Sequence, residues 1–527
     1  MEKEKFYITT PIYYPSRKFT LGNCYTTVIC DALARFNKLL DKDVFFMTGT
    51  DEHGQKIAQA AKAAGKSEME YLDEMIADAK NLWELLNIKY DKFIRTTDDY
   101  HVAAVQKIFK DLYDKGYIYK SSYKGKYCVP CESFWTESQL VEGKCPDCHR
   151  DVIDQEEEAY FFKLSEFGDK LLNLYQNNPE FLQPKSRVNE MVNNFIKPGL
   201  EDLCVSRTSV KWGVPVDFDK KHTVYVWIDA LSNYITGLGY GSDDETLFKK
   251  YWPADVHVIG KEIVRFHAII WPAILMALDI PLPKRIFGHG WLLFGGDKLS
   301  KSKSVASTEC VDPRILVPRY TADSVRYILL REIPFGSDGN YSTELFFNTI
   351  NSDLANNYGN LVSRTFSMLK KYRNSIVPKI TDKDDELDTE LKTTIYQAVA
   401  ETKKYIETSF DVSKALASIF DIFSKANKYI EQTEPYRLAK DETMQKRLDR
   451  VLRNLLESIR VGTILLSAFL PDCSQKVLDA LGISEYKFSD AQEFYKLKEN
   501  VEVGEIGILF PRIDPEKEFA ELSKICE

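Results

Sequence analysis

The sequence predicts an α/β fold in which a parallel sheet is split by a cysteine-bearing insertion and followed by an all-α helix bundle. Three observations carry this. Strand-like and helix-like patterns alternate from residue 5 to residue 64; short, aromatic, turn-rich pieces with two close cysteine pairs occupy residues 117–154; and beyond residue 346 the pattern is helical to near residue 480. At 527 residues the chain has room for about three to four domains of ~150 residues. Hydrophobic residues at 44%, charged at 28% and aromatic at 13% exclude a mainly disordered chain.

Residues 5–10 read as a buried strand, and 22–40 as a helix, because Tyr25, Val28, Ile29, Ala32, Phe36 and Leu39 recur at three- and four-residue spacings. A second apolar strand at 44–47 ends in TGTDEHG at 48–54, and 55–64 is helical again. Strand, helix, strand, helix implies a right-handed parallel unit of Rossmann type, whose ligands bind beyond the carboxyl ends of the strands. The loops 11–23 and 49–54 lie at such ends. Apolar strands return at 223–228 and 256–259, so the sheet resumes after the insertion. The divisions expected are 1–116, 117–222, 223–286, 287–345 and 346–527. In the last, Leu448, Leu452, Leu455 and Ile459 make one apolar stripe, Lys446, Arg447, Arg450, Arg453 and Arg460 read as a solvated basic face, and 506–510 either adds a strand or packs back.

The amino terminus MEKEKFYITT holds no apolar signal core, and the longest apolar run, 268–278, is interrupted by Pro272 and too short to span a bilayer. A cytoplasmic protein without membrane contact is expected. A net charge of -9 argues against non-specific coating of nucleic acid, yet permits a local basic surface. Ten cysteines in such a chain are better read as thiols or metal ligands than as disulfides.

Cys128-x-x-Cys131 and Cys145-x-x-Cys148, thirteen residues apart, can close a tetrahedral shell around one structural zinc ion; unligated thiols or a redox pair are the alternatives. His149 is read as a bystander, since four cysteines suffice.

A second chemical stretch is FGHGWLLFGGDKLSKSK at 287–303, where Lys298 and Lys301 follow the paired glycines 295 and 296. Flexible point charges of this kind suit a phosphate whose charge grows during reaction.

Taken together, TTPIYYP at 9–15, TLGN at 20–23, DEHGQK at 51–56, the cysteine pairs, YVWIDA at 225–230, IGKE at 259–262, the KLSKS stretch and NLVSR at 360–364 resemble the class I aminoacyl-tRNA synthetases, and among them the methionyl-tRNA synthetase family, over nearly the whole chain. The resemblance implies a Rossmann-type catalytic domain with a zinc-knuckle insertion and an anticodon-binding bundle. It also implies a methionine–tRNA ligase that uses ATP, L-methionine and Mg2+ to form methionyl-adenylate, then charges tRNA(Met) for initiation and elongation. The roles it carries over are catalytic for Thr20, Asn23, Lys298 and Lys301, and ATP-binding for Gly22, Asn23, Gly260, Glu262 and Lys301. Methionine would meet Ile12, Tyr14, Asp51, Trp227, Ala230, Leu231, Tyr234, Ile263, His267 and Trp271, and the anticodon would meet Asn360, Arg364 and Tyr436.

The chain departs from the family where Thr20 and Asn23 replace two signature histidines, Glu262 replaces an aspartate and Tyr436 a tryptophan. Arg17 and Lys18 stand just upstream of the first departure. Two competitors are weighed: another class I ligase, for leucine, isoleucine, valine or cysteine, and a tRNA-binding paralogue without activation. An insert of 117–222 is short for an editing domain, and a retired site has no reason to keep Lys298 and Lys301. Because longer relatives carry a further dimerising module, a monomer is expected.

Overall fold

Residues Lys5–Thr9 form β1, buried at all positions but the first, as a strand covered on both faces must be. The structure, a computed structural model, describes residues 3–526 except 132, 136, 138–139, 295–296, 299–311 and 335. Beside β1 runs β2 (Asp43–Thr50), with Ile8 opposite Phe46, and beside that β3 (Lys92–Arg95), each pair parallel. The chain then leaves the sheet through β4 (Ile118–Cys128), β5 (Ser133–Trp135) and β6 (Ile153–Phe162), touches it again in β7 (Leu182–Gln183), and passes β8 (Leu203–Cys204), β9 (Ser206–Arg207) and β10 (Thr223–Val224) before re-entering as β11 (Val256–Gly260) and β12 (Ile286–His289). The main sheet has the order β3-β2-β1-β11-β12-β7 and is parallel throughout. Its split halves meet where β1 pairs with β11.

Two details of the strands differ from the sequence reading. The stretch 223–228 is a strand only at β10, which pairs antiparallel with β9 outside the main sheet, and a helix, Val226–Thr236, takes over at once. A short apolar run without alternation suits a buried helix as well as a strand. Within the expected insertion, β7 pairs with β12 and supplies the sixth strand, too short to carry any periodicity. The insertion also holds an antiparallel sheet, β5-β4-β6-β8, in which β4 and β6 pair from Ile118 and Phe162 to Tyr127 and Ile153. The β4–β5 hairpin, closed by Cys128 opposite Ser133, carries the first cysteine pair.

From Thr343–Thr349 onward the chain is helical, and Leu448, Leu452, Leu455 and Ile459 on Gln445–Leu466 are fully buried, as their stripe requires. Of the basic face expected on that helix, Lys446 is exposed and Arg447 half-buried, but the rest is not solvated. Arg450, Arg453 and Arg460 are buried: Arg450 pairs with Asp382 and Asp384, Arg460 with Glu457, and Arg460 also donates to the Asp490 carbonyl at 2.6 Å. The reason is that the chain beyond residue 480 wraps over this face, where long guanidinium forks satisfy backbone carbonyls. The stretch 506–510 forms no strand; Phe510 is buried, and the following helix Pro515–Cys526 is held by Glu518 on Arg319 at 2.6 Å. Among the described residues no helix is long and apolar enough to cross a membrane.

The helix Leu21–Leu39 is locked at its middle. Asp31, fully buried, pairs with Arg326 at 2.7 Å and with Arg35 at 2.8 Å and accepts the Lys89 N–H at 2.9 Å; Arg326 also donates to the Phe469 and Leu86 carbonyls at 2.8 and 3.2 Å. Burial would raise the Asp31 carboxyl, but Arg326 and then Arg35 bring it below its usual range. Asp31→Ala would strand the Arg326 guanidinium in the core, so we expect a loss of about 3–5 kcal/mol in stability. A fall in the denaturation midpoint checks it, and an unchanged midpoint would remove Asp31 from this role.

Candidate active site

The carboxyl ends of β1, β2, β11 and β12 open into one cavity of about 710 Å3. Ile12 and Tyr14 reach it from the turn after β1, Asp51 from the turn after β2, Gly260, Glu262 and Ile263 from the end of β11, and His289 and Trp291 from the end of β12. Thr20, Gly22 and Asn23 enter with the start of Leu21–Leu39, and Trp227 with the start of Val226–Thr236. One wall comes from the insertion, through Pro130, Cys131, Asp147 and Cys148.

The start of Leu21–Leu39 is shaped for an anion. Thr20 is its N-cap: the Thr20 carbonyl accepts from the N–H groups of Asn23 and Cys24 at 3.0 and 3.2 Å, and the Thr20 N–H donates to Asn23 Oδ1 at 3.1 Å. The Asn23 oxygen is thus spent on the cap, which leaves its Nδ2 as a donor beside the first-turn amides and the positive end of the helix dipole. Arg17 and Lys18, both exposed, line the same mouth.

Across the cavity Glu262 accepts from Trp291 Nε1 at 2.7 Å, and Lys261 lies over the Trp291 ring at 3.8 Å while pairing with Asp338 at 2.6 Å. A Cβ at residue 260 would lie 2.5 Å from the Glu262 carboxylate, so any larger residue there would have to displace that side chain. Asp51 is placed by its neighbour: Glu52, fully buried, accepts from Arg95 Nε at 2.9 Å, Thr50 Oγ1 at 2.6 Å and Thr97 Oγ1 at 2.6 Å, and its own N–H donates to Thr96 Oγ1 at 2.9 Å.

The apolar side of the cavity is aromatic. Trp227 lies flat on Phe266, ring centroids 3.7 Å apart and 6° from parallel, with His267 at its edge 6.2 Å away. His267 is buried; its Nδ1 faces the Ile263 carbonyl at 2.9 Å and its Nε2 the Tyr234 hydroxyl at 2.6 Å. Burial pushes this imidazole down to about 4, so at neutral pH it is an uncharged ring. Of the ten expected methionine contacts, Ile12, Tyr14, Asp51, Trp227 and Ile263 line the cavity, whereas Ala230, Leu231, Tyr234, His267 and Trp271 are buried behind them.

The four thiol sulfurs of Cys128, Cys131, Cys145 and Cys148 lie within 4.8 Å of one another, with Cys128 to Cys148 at 3.5 Å and Cys131 to Cys145 at 3.7 Å. A tetrahedral shell with metal–sulfur bonds near 2.3 Å places its sulfurs about 3.8 Å apart, so this donor set fits such an ion. His149, with φ of 56°, turns the chain after the second pair and is outside the cluster.

Lys298 closes a hairpin: β13 (Leu292–Phe294) pairs with β14 (Asp297–Lys298), Leu293 opposite Lys298, and in parallel with β15 (Gly339–Tyr341). Leu292 and Phe294 line the cavity, so the hairpin starts at its edge. Lys301 lies outside the described residues. In the bundle, Asn360 and Arg364 stand one turn apart on Asn360–Arg373, Asn360 exposed; Tyr436 is 49% exposed and donates its hydroxyl to Glu434 at 2.7 Å.

Sequence reasoning missed several lining residues. His289, whose Nε2 meets Thr26 Oγ1 at 2.7 Å, Trp291 and Lys56 sat inside quoted motifs without assigned roles. Phe266 and Tyr25 gave no signal, because an aromatic on a cavity wall looks like an aromatic in the core.

Comparison with known proteins agrees with this geometry. Residues 6–156 and 150–366 match the family "tRNA synthetases class I (M)", and residues 377–523 match "Anticodon binding domain of methionyl tRNA ligase". The methionine–tRNA ligase of Clostridium acetobutylicum is 54% identical over 528 residues, 100% of this chain and 81% of that protein. That of Caldanaerobacter subterraneus subsp. tengcongensis is 55% identical over 526 residues, with the same coverage of 100% and 81%. Among solved structures, Mycobacterium tuberculosis methionyl-tRNA synthetase in complex with methionyl-adenylate matches with a TM-score of 0.91 at 40% identity, over 97% of this chain and 100% of that one. Its apo form matches at 0.84 and 38% identity, over 98% and 99%. With both family models in chain order and full-length relatives above half identity, the chain belongs to the methionyl-tRNA synthetases of class I.

Proposed function

We propose that this cavity carries out both halves of the methionine–tRNA ligase reaction, with its work divided among the residues placed above. The observation that supports it most is that a helix start rich in N–H donors, an acid and a neutral aromatic wall converge on one cavity. The Asp51 carboxylate holds the α-amino group of methionine. The thioether lies along Ile12, Tyr14, Trp227 and Ile263, with Ala230, Leu231, Tyr234, His267 and Trp271 supporting that wall; sulfur against ring edges contributes about 0.3–1.5 kcal/mol. ATP enters as its Mg2+ complex, its ribose on Glu262 beside Gly260 and its phosphates at Gly22 and Asn23, with Thr20 setting the cap that aims Asn23.

The methionine carboxylate attacks the α-phosphorus in line, a bond forms from carboxylate oxygen to phosphorus, and pyrophosphate leaves with the electron pair of the broken anhydride. Charge growing on the phosphate oxygens is met by the helix amides on one side and by Lys298 and Lys301 on the other. A ribose hydroxyl at the 3′ end of tRNA then attacks the methionyl carbonyl, and AMP leaves. Asn360, Arg364 and Tyr436 meet the anticodon of tRNA(Met), where one base stacked on tyrosine is worth about 1–3 kcal/mol. Cys128, Cys131, Cys145 and Cys148 hold one Zn2+, which fastens the knuckle wall of the cavity and has no open position for chemistry. The chain works as a monomer in the cytoplasm.

Exchange of labelled pyrophosphate into ATP tests the first half. Methionine should support it, and leucine, isoleucine, valine and cysteine should not; exchange with one of those four would overturn the pocket assignment. Lys298→Ala should lower kcat by about 100- to 1000-fold while the KM for methionine stays nearly constant. A matching rise in KM would make the lysine a ground-state contact instead. Metal analysis of the purified chain should find about one zinc per chain, lost in Cys145→Ser, and sedimentation should give a monomer; zinc retained by that variant would dissolve the four-thiolate assignment.

A further inference from the structure

The turn that carries Asp51 and the helix that carries Trp227 belong to opposite halves of the split sheet, and a buried carboxylate joins them. Asp229, 1% exposed on Val226–Thr236, accepts from two imidazoles: His53 Nδ1 lies 2.7 Å from Oδ2, and His101 Nε2 lies 2.7 Å from Oδ1. His101 Nδ1 is in turn 2.7 Å from Thr236 Oγ1, on the same helix as Asp229. An ionised carboxylate can only accept, so both rings donate to it. Burial alone would raise the Asp229 carboxyl, but His53 and His101 hold it at about 2.

Nothing in this set is free to swing away. His53 stands edge-on against Trp212, ring centroids 5.6 Å apart; Trp212 Nε1 donates to the Glu52 carbonyl at 2.7 Å, and the Gly54 N–H donates to the Trp212 carbonyl at 3.0 Å. Yet none of His53, His101 and Asp229 lines the cavity. Each end lies two residues beyond a residue that does: His53 after Asp51, Asp229 after Trp227. The set thus stands outside the lining of this cavity, and it spans the gap between the two walls a substrate would touch.

We propose that His53, Asp229 and His101 form a positioning clamp that sets the distance between the Asp51 carboxylate and the Trp227 wall, and through it the affinity for the amino acid held between them. The clamp rests on the reading that this cavity activates methionine. It acts on the amino-acid side alone, because the helix start and Glu262, where the nucleotide is placed, are tied down by other contacts. Its working part is the hydrogen bond that His53 donates, so a side chain that keeps that donor keeps the function. Asparagine places its amide nitrogen close to the Nδ1 position, whereas alanine has no donor and glutamine carries its amide nitrogen to the Nε2 position, away from Asp229.

The test is methionine-dependent pyrophosphate exchange, with KM measured separately for methionine and ATP. His53→Ala should raise the KM for methionine by about 10-fold or more, the expected effect of leaving a buried charged acceptor short of a donor, with the KM for ATP unmoved. His53→Asn should restore the methionine KM. Should the alanine variant not fold, His53→Gln takes its place, with the same rise expected. The clamp is overturned if the variant without the donor behaves like the unmodified chain, if both KM values rise together, or if His53→Asn is as impaired as the variant without the donor. Absence of methionine exchange in the unmodified chain would remove the activation reading and the clamp with it, whereas exchange that His53→Ala leaves intact would remove the clamp alone.

Discussion

The buried pair of Asp31 and Arg326 fixes the helix whose first turn lines the cavity. Asp31 sits in the middle of that helix, and Arg326 lies on Ala322–Arg331, beyond the KLSKS stretch. Two charges taken out of water cost several kcal/mol each unless geometry and hydrogen bonds compensate. Here both sides are filled: Asp31 by Arg326, Arg35 and the Lys89 N–H, and Arg326 by Asp31 and the Phe469 and Leu86 carbonyls. The same helix thus contacts the catalytic sheet, the segment after the lysine motif and the edge of the bundle. Its first turn and the start of the β13–β14 hairpin, at Leu292 and Phe294, line the same cavity.

The cavity separates charge from apolar surface. Donors and cations gather at the start of Leu21–Leu39, where Asn23, Arg17 and Lys18 line the mouth. On the opposite side the stacked pair of Trp227 and Phe266 and the neutral ring of His267 make a wall that can take an uncharged side chain at low desolvation cost. The acid between the two regions, Asp51, is placed by a backbone whose next residue, Glu52, is fixed by three side-chain donors. Rigid neighbours of this kind hold a reacting group in position before the substrate arrives.

The knuckle and the bundle edge show two ways of holding surface pieces that have little core of their own. The two cysteine pairs, one on the β4–β5 hairpin and one between β5 and β6, gather four thiols into one cluster, and Cys131, Asp147 and Cys148 reach the cavity directly. At the bundle, Arg450, Arg453 and Arg460 are covered by the chain beyond residue 480 and spend their donors on carboxylates and carbonyls. Charge that would serve an RNA surface if exposed serves cohesion instead. The exposed candidates for an RNA contact are Asn360 and Tyr436, which stand on other helices.

The sequence by itself determined the alternation of strand and helix, the bundle, the four-thiol cluster and the loops 11–23 and 49–54 at strand ends, because each of these is written in local periodicity or spacing, while the resemblance to a family supplied Gly260 and Glu262. Only the tertiary structure decided the rest. It made 226–236 a helix and β7 a sheet strand, since apolar runs and two-residue strands carry no period of their own. It placed Tyr234, His267 and Trp271 behind Trp227, and it paired His53 with Asp229 across 176 residues of chain. The physical reason is the same in each case. Hydrogen bonds, burial and charge pairing act between neighbours in space, and a single sequence names a residue's chemistry without naming its neighbour.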